Sequence, residues 1–187
     1  MLKTTLITLC LFVPGLAAAA GGQTAGKKPA GTAPWETKLL EALPALGHRN
    51  WIVVADSAYP AQISPGVEIV VSGADHLEVL AKVLAALDGQ RHVRPKIFLD
   101  KELGALDDGL APGIEALRAR LDGLLKGRDV APVLHEELIA RLDRVAKTFR
   151  VLMIKTDLAL PYTSVFLELD CGYWPPEAER KLRLKMR

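Results

Sequence analysis

Residues 50–56 read Asn50-Trp51-Ile52-Val53-Val54-Ala55-Asp56, and this short stretch decides the fold. Five apolar residues follow one another without a break, and a polar residue closes each end. The run is too short for a helix and shows no alternation of faces, which is the pattern of a strand buried on both sides. Such a strand needs a layer of structure above it and another below. Helical patterns on either side of it in the chain supply candidates for both.

Upstream, Trp35, Leu39, Leu40 and Leu43 fall on one face of a helix that Pro44 should end or kink. Downstream, the turn Ser64-Pro65-Gly66 leads into a second strand at Val67 to Val71. Leu77, Leu80, Val83, Leu84 and Leu87 then mark an amphipathic helix closed by Asp88-Gly89. Pro95 to Leu99 is β-rich, and Ile114, Leu117, Leu121, Leu124 and Leu125 mark a helix stopped by Gly127. A short strand at Val130 to Leu134 is followed by a helix from His135 to Lys147. Strands at Arg150 to Lys155 and Val165 to Leu169 complete the body. Alternating buried strands and helices predict a three-layer α/β domain, with a largely parallel sheet and helices on both faces.

The chain has 187 residues, half of them apolar, which suits one globular domain and excludes a wholly disordered chain. With 24 basic and 22 acidic side chains, the charge gives no support for nucleic-acid or membrane-surface binding. Residues 1–20 have the order of a secretory signal peptide: Lys3, an apolar run from Leu6 to Leu16, then the small residues Ala17 to Ala20. The run is shorter than the roughly 20 residues that span a bilayer, so an exported product, periplasmic or secreted, with no membrane segment after processing is expected. Cys10 leaves with that segment. Cys171 then remains as a single thiol that no intrachain disulfide can use. Residues 21–34 read as a flexible leader, 35–173 as the domain, and 174–187 as a basic tail that is either solvated or docked on a neighbouring subunit.

Several chemistries lack their signatures. There is no phosphate-cradling glycine loop, no His or Cys pair at metal spacing, and no Gly-x-Ser-x-Gly elbow. The nucleotide-binding, metalloenzyme and serine-hydrolase readings are weakened accordingly, and the sequence marks no metal or cofactor site. Polar residues at strand ends remain, where open α/β sheets place their ligands. Gly47-His48 precedes the first strand and Asp56 follows it, although a His in a Gly turn and an Asp after a strand are each commonly plain loop residues. The strand is about 17 Å long, so these two start at opposite ends of it. His135 opens a helix beside Glu136 and Glu137, where the helix terminus disfavours imidazolium and the two acids favour it. Tyr162 stands in the turn Leu160-Pro161-Tyr162-Thr163-Ser164 before the last strand.

Leu46-Gly47-His48 with Trp51 to Asp56, Ala58, Pro60 and Pro65-Gly66-Val67 resembles the N-terminal signature of the D-ribose pyranase and L-fucose mutarotase family. The His135-Glu136-Glu137 helix start and the passage from Val151 to Ile154 through Pro161-Tyr162 to Val165 match it in order. The resemblance runs from about Leu39 to Gly172. It implies an isomerase of a free monosaccharide that works without a cofactor, in a ring-shaped homo-oligomer with sites at subunit contacts and a small neutral sugar as partner. By the same resemblance His48 is the proton donor, Asp56 and His135 bind and polarise the sugar, and Tyr162 through Ser164 bind its hydroxyls. Imidazole suits such work, because opening a hemiacetal moves one proton off the anomeric hydroxyl and another onto the ring oxygen near neutral pH.

Two departures stand beside the matches. Ser164 occupies a position where the family has Asn, and a hydroxyl lacks the carboxamide's donor and acceptor pair and its reach. The loop Ser72-Gly73-Ala74-Asp75 is shorter than in the family and leads into His76, which is expected at the surface. These departures motivate an alternative, a non-catalytic exported protein that binds a sugar or another small molecule on the same fold. A structural or assembly role for the oligomer and its basic tail is the third reading.

Overall fold

The strand that anchors the sequence reading is the third of six in the sheet. The computed structural model describes residues 31–186, so the signal segment 1–20 and leader residues 21–30 lie outside the described residues. Along the chain come α1 (Pro34–Ala42), β1 (Trp51–Ala55), β2 (Val67–Val71), α2 (His76–Asp88), β3 (Val93–Asp100) and α3 (Ile114–Leu125). They are followed by β4 (Val130–Val133), α4 (His135–Val145), β5 (Val151–Lys155), β6 (Val165–Cys171) and α5 (Pro176–Lys185). Pro44 does not stop the first helix abruptly but tightens its end into a 3₁₀ turn at Leu43–Ala45.

The strand order is β2-β5-β1-β6-β3-β4. Every residue of β1 is buried, and its two faces enter different cores. Ile52 and Val54 join Leu39, Leu80, Leu84, Ile114 and Leu121 under α1, α2 and α3. Trp51, Val53 and Ala55 join Leu138 and Leu142 of α4, with Met153 and Phe166 from the neighbouring strands. That double burial is why the run carries no polar residue on either face. Three layers with helices on both faces are therefore present.

The pairings of β1 with β5, β2 with β5 and β3 with β4 are parallel, while β6 runs antiparallel to both β1 and β3. The sheet is thus mostly parallel but mixed at its centre. The cause is chain length: only nine residues separate β5 from β6, and a parallel crossover needs about a dozen or more. The connection instead turns over the end of β1, so β6 enters the sheet from the edge at which β5 left it.

This reversal positions the site. The carboxyl ends of β1, β3, β4 and β5 and the amino end of β6 share one edge of the sheet. Gly66 admits the chain into β2 at the opposite edge, where a Cβ would collide with the carbonyl oxygens of Ala146 and Phe149. Past the sheet, α5 has no buried residue and is held by local pairs such as Arg183 with Glu179 at 2.6 Å.

Candidate functional site

Four adjacent strand ends, in the order β1, β6, β3 and β4, bring the expected polar residues together. Val165 pairs with Val54 on one side and Leu99 on the other, so the turn before β6 lies between the ends of β1 and β3. Asp56 follows β1, Tyr162 to Ser164 precede β6, Asp100 ends β3, and His135 follows β4. Asp56, His135, Tyr162 and Ser164 therefore share one edge in a single chain. His48 does not join them: it is exposed in the turn before β1, at the other edge.

Asp56 is fixed by three hydrogen bonds. The Ser164 hydroxyl donates to its Oδ2 at 2.7 Å, its own N–H donates back to Ser164 Oγ at 3.1 Å, and Ala58 N–H donates to Oδ1 at 2.9 Å. Ser164 is 1% exposed, so its hydroxyl is turned onto Asp56. Lys155, at the end of β5, donates from Nζ to the carbonyl of Tyr59 at 2.6 Å and ties the loop after Asp56 to the sheet.

His135 is held from below. Its Nδ1 lies 3.1 Å from Oδ1 of Asp100, whose side chain is almost fully buried. The helix it opens has no capping side chain of its own. Glu102 supplies the cap, accepting from His135 N–H at 3.1 and 3.2 Å. Tyr162 meets the imidazole edge-to-face, with ring centroids 5.3 Å apart. Its φ of 57° is left-handed backbone, a costly conformation for an aromatic residue that persists only where surroundings enforce it.

Burial pushes the Asp100 carboxyl up to about 6 against the pull of His135, with Glu102 and Asp56 pushing the same way as burial. Tyr59 lies close by, buried, with its ring edge-on to Phe166 and its hydroxyl without a partner among the described residues. Burial and then the charge of Asp100 hold that phenol well above its ordinary value.

One expectation is overturned. His76 is not a surface residue: it is 2% exposed, and its Nδ1 lies 2.8 Å from the Thr156 hydroxyl, which donates to the carbonyl of Ala55 at 3.0 Å. The short loop is the cause. Asp75 caps α2 through the N–H groups of Leu77 and Glu78 at 3.0 Å each, which starts the helix at His76 and turns that side chain down behind the site. Burial lowers its proton affinity, and Asp56 and the Thr163 carbonyl oppose that shift.

Asp100, Glu102 and Tyr59 went unnoticed in the sequence. Asp100 had a usable signal, because it follows a predicted strand just as Asp56 does. Glu102 and Tyr59 had none, since their roles come from what the fold sets opposite them. Cys171 is a free thiol and is half-buried.

A sheet edge carrying carboxylates, an imidazole and hydroxyls, with a buried carboxylate behind the imidazole, lies where open α/β sheets place their ligands. The chain belongs to the RbsD / FucU transport protein family, which matches residues 34–171. Among solved structures it is similar to Bacillus subtilis RbsD complexed with D-ribose, at 23% identity over 71% of this chain and 90% of that one, with a TM-score of 0.50. It is also similar to the fucose mutarotase of Streptococcus pneumoniae in complex with L-fucose, at 19% identity over 70% and 89% of the two chains, with a TM-score of 0.48. No curated protein matches it in sequence.

Proposed function

We propose that the protein is a cofactor-independent monosaccharide mutarotase or pyranase, which interconverts cyclic forms of a free sugar by acid–base ring opening. The observation that carries this reading is the convergence of Asp56, His135 and Tyr162 on one sheet edge, together with membership of a family whose solved relatives hold D-ribose and L-fucose. Asp56 accepts from sugar hydroxyls, Tyr162 packs on the ring and donates its hydroxyl, and Ser164 acts through Asp56 by fixing its rotamer. His48 delivers the proton to the ring oxygen. Since His48 stands at the far edge of its own chain, it reaches the sugar from a second copy in a homo-oligomer.

A positioned acid–base group contributes on the order of 10²–10⁴-fold. His48→Ala is therefore expected to lose at least about 10²-fold of the anomer exchange measured by saturation-transfer NMR on a panel of aldoses that includes D-ribose and L-fucose. Wild-type exchange no faster than buffer on every sugar overturns the reading. Saturable sugar binding without acceleration favours the alternative, a binding protein on the same fold, to which the closure of Ser164 onto Asp56 also lends support.

A further inference from the structure

Of the ionisable groups outside the roles just assigned, Asp100 is the one whose burial has no structural return. A lone carboxylate in an apolar interior is costly and is kept where a partner needs it. Its surroundings oppose the charge: burial and then the acids Glu102 and Asp56 all disfavour the ionised form. Among the described residues, the basic group set against it is the imidazole of His135, 3.1 Å away. Nδ1 of that ring is itself buried, while the side chain as a whole is 25% exposed. The exposed part of the ring is therefore the side away from Nδ1, which carries Nε2, and Tyr162 packs edge-to-face against the same ring.

We infer that His135 is the base of the ring-opening step, and that Asp100 is the positioning residue that fixes its tautomer and supports the imidazolium it becomes. The inference rests on the mutarotase reading above and adds to it a proton acceptor and the group behind that acceptor. With Nδ1–H directed at Asp100, Nε2 is left unprotonated and takes the proton of the anomeric hydroxyl. The electrons of that O–H bond form the C=O bond as the C–O bond to the ring oxygen breaks. The ring oxygen receives its proton from His48 of a second copy. After rotation of the aldehyde, closure runs the same transfers in reverse and restores both imidazoles. Nothing is oxidised or reduced, and the buried carboxylate repeats the logic by which a hydrogen-bonded acid orients a general base.

The test uses the full chain and two readouts. In the wild type, long-range ¹H–¹⁵N spectra are expected to show neutral His135 as the Nδ1–H tautomer. In D100N, exchange of D-ribose or L-fucose is expected to fall at least tenfold with saturable sugar binding retained. The wild-type rate is expected to drop as pH falls through about 6, where Asp100 takes up a proton. D100N, lacking that group, is expected to give a pH profile different from that of the wild type; His135, Asp56, Glu102 and Tyr59, which face Asp100, are unchanged in it. A purely structural role for Asp100 moves neither the tautomer nor the pH profile. An Nε2–H tautomer in the wild type overturns the inference without any variant, and full exchange activity in D100N overturns it while leaving the mutarotase reading intact. Absence of exchange in the wild type defeats the reading itself and the inference with it.

Discussion

The two edges of the sheet are built on different principles. At the carboxyl edge of the parallel strands, Asp56 is hydrogen-bonded to Ser164, His135 Nδ1 lies 3.1 Å from Asp100, and Asp100 and Ser164 are buried. At the amino edge, His48 stands exposed in a turn. One edge is organised by the chain that carries it, so its geometry is fixed before any ligand arrives. The other presents a reactive side chain that its own fold does not hold. On the function proposed above, the contrast means that one half of an acid–base site is built within one chain, while the other half would be supplied by a second copy.

The largest expected effect tests that division directly. H48A and D56A are each expected to be nearly inactive in sugar exchange. Co-refolded in equal amounts, they should recover about a quarter of wild-type activity, because in a cyclic assembly about one site in four then combines an intact His48 with an intact Asp56. Exchange by saturation-transfer NMR on the mixed assembly checks it. If mixing restores nothing, the two edges do not meet across a subunit contact, and the contrast loses its functional meaning.

A smaller effect concerns the carboxyl edge alone. Asp100 has an ordinary value of 3.8 and is raised to about 6 by burial. Between those values the folded chain holds a proton that the unfolded chain has lost, so stability falls as pH rises from about 4 to about 6 and stays lower above that. D100N removes the buried charge. It should therefore be more stable than wild type at pH 8, by on the order of 2–3 kcal/mol, with no advantage at pH 3. Urea melts at the two pH values measure this. A D100N protein that is less stable at pH 8 would mean that the contact with His135 outweighs the cost of burial, and that the edge is organised for stability rather than for chemistry.

Most of the layout was legible from residues alone, and the reasons are local. The uninterrupted run of β1, the leucine spacings of α2 and α3, and Gly127 after α3 each state their own structure. The antiparallel entry of β6 was not legible, because it follows from the nine residues that precede it rather than from its apolar composition. At the candidate site, Asp56 and His135 were legible as polar residues flanking recognisable elements, while the roles proposed for them came from the family resemblance. Asp100 lay one residue past the predicted end of its strand and acquires meaning only from what α4 sets opposite it. His76 was misplaced because its burial depends on the cap that Asp75 gives to α2, which turns a loop residue into a helical one.

The smallest effect sharpens the comparison on stability alone. The Ser164 hydroxyl is buried and donates to a carboxylate while also accepting from the backbone, so S164A should cost about 1–2 kcal/mol, the ordinary value for a lost charge-assisted hydrogen bond that water can partly replace. H48A removes a side chain that is exposed in its own chain, and surface changes of that kind rarely register in a melt. Thermal melts of both variants below the concentration at which copies associate should therefore separate them, with S164A shifted and H48A coincident with wild type. As association sets in, His48 acquires the surroundings that one chain lacks, and the H48A melt should begin to fall away from the wild type. An H48A deficit already present in the dissociated chain would show that the amino edge is internally organised after all, and that the asymmetry between the edges is one of exposure rather than of design.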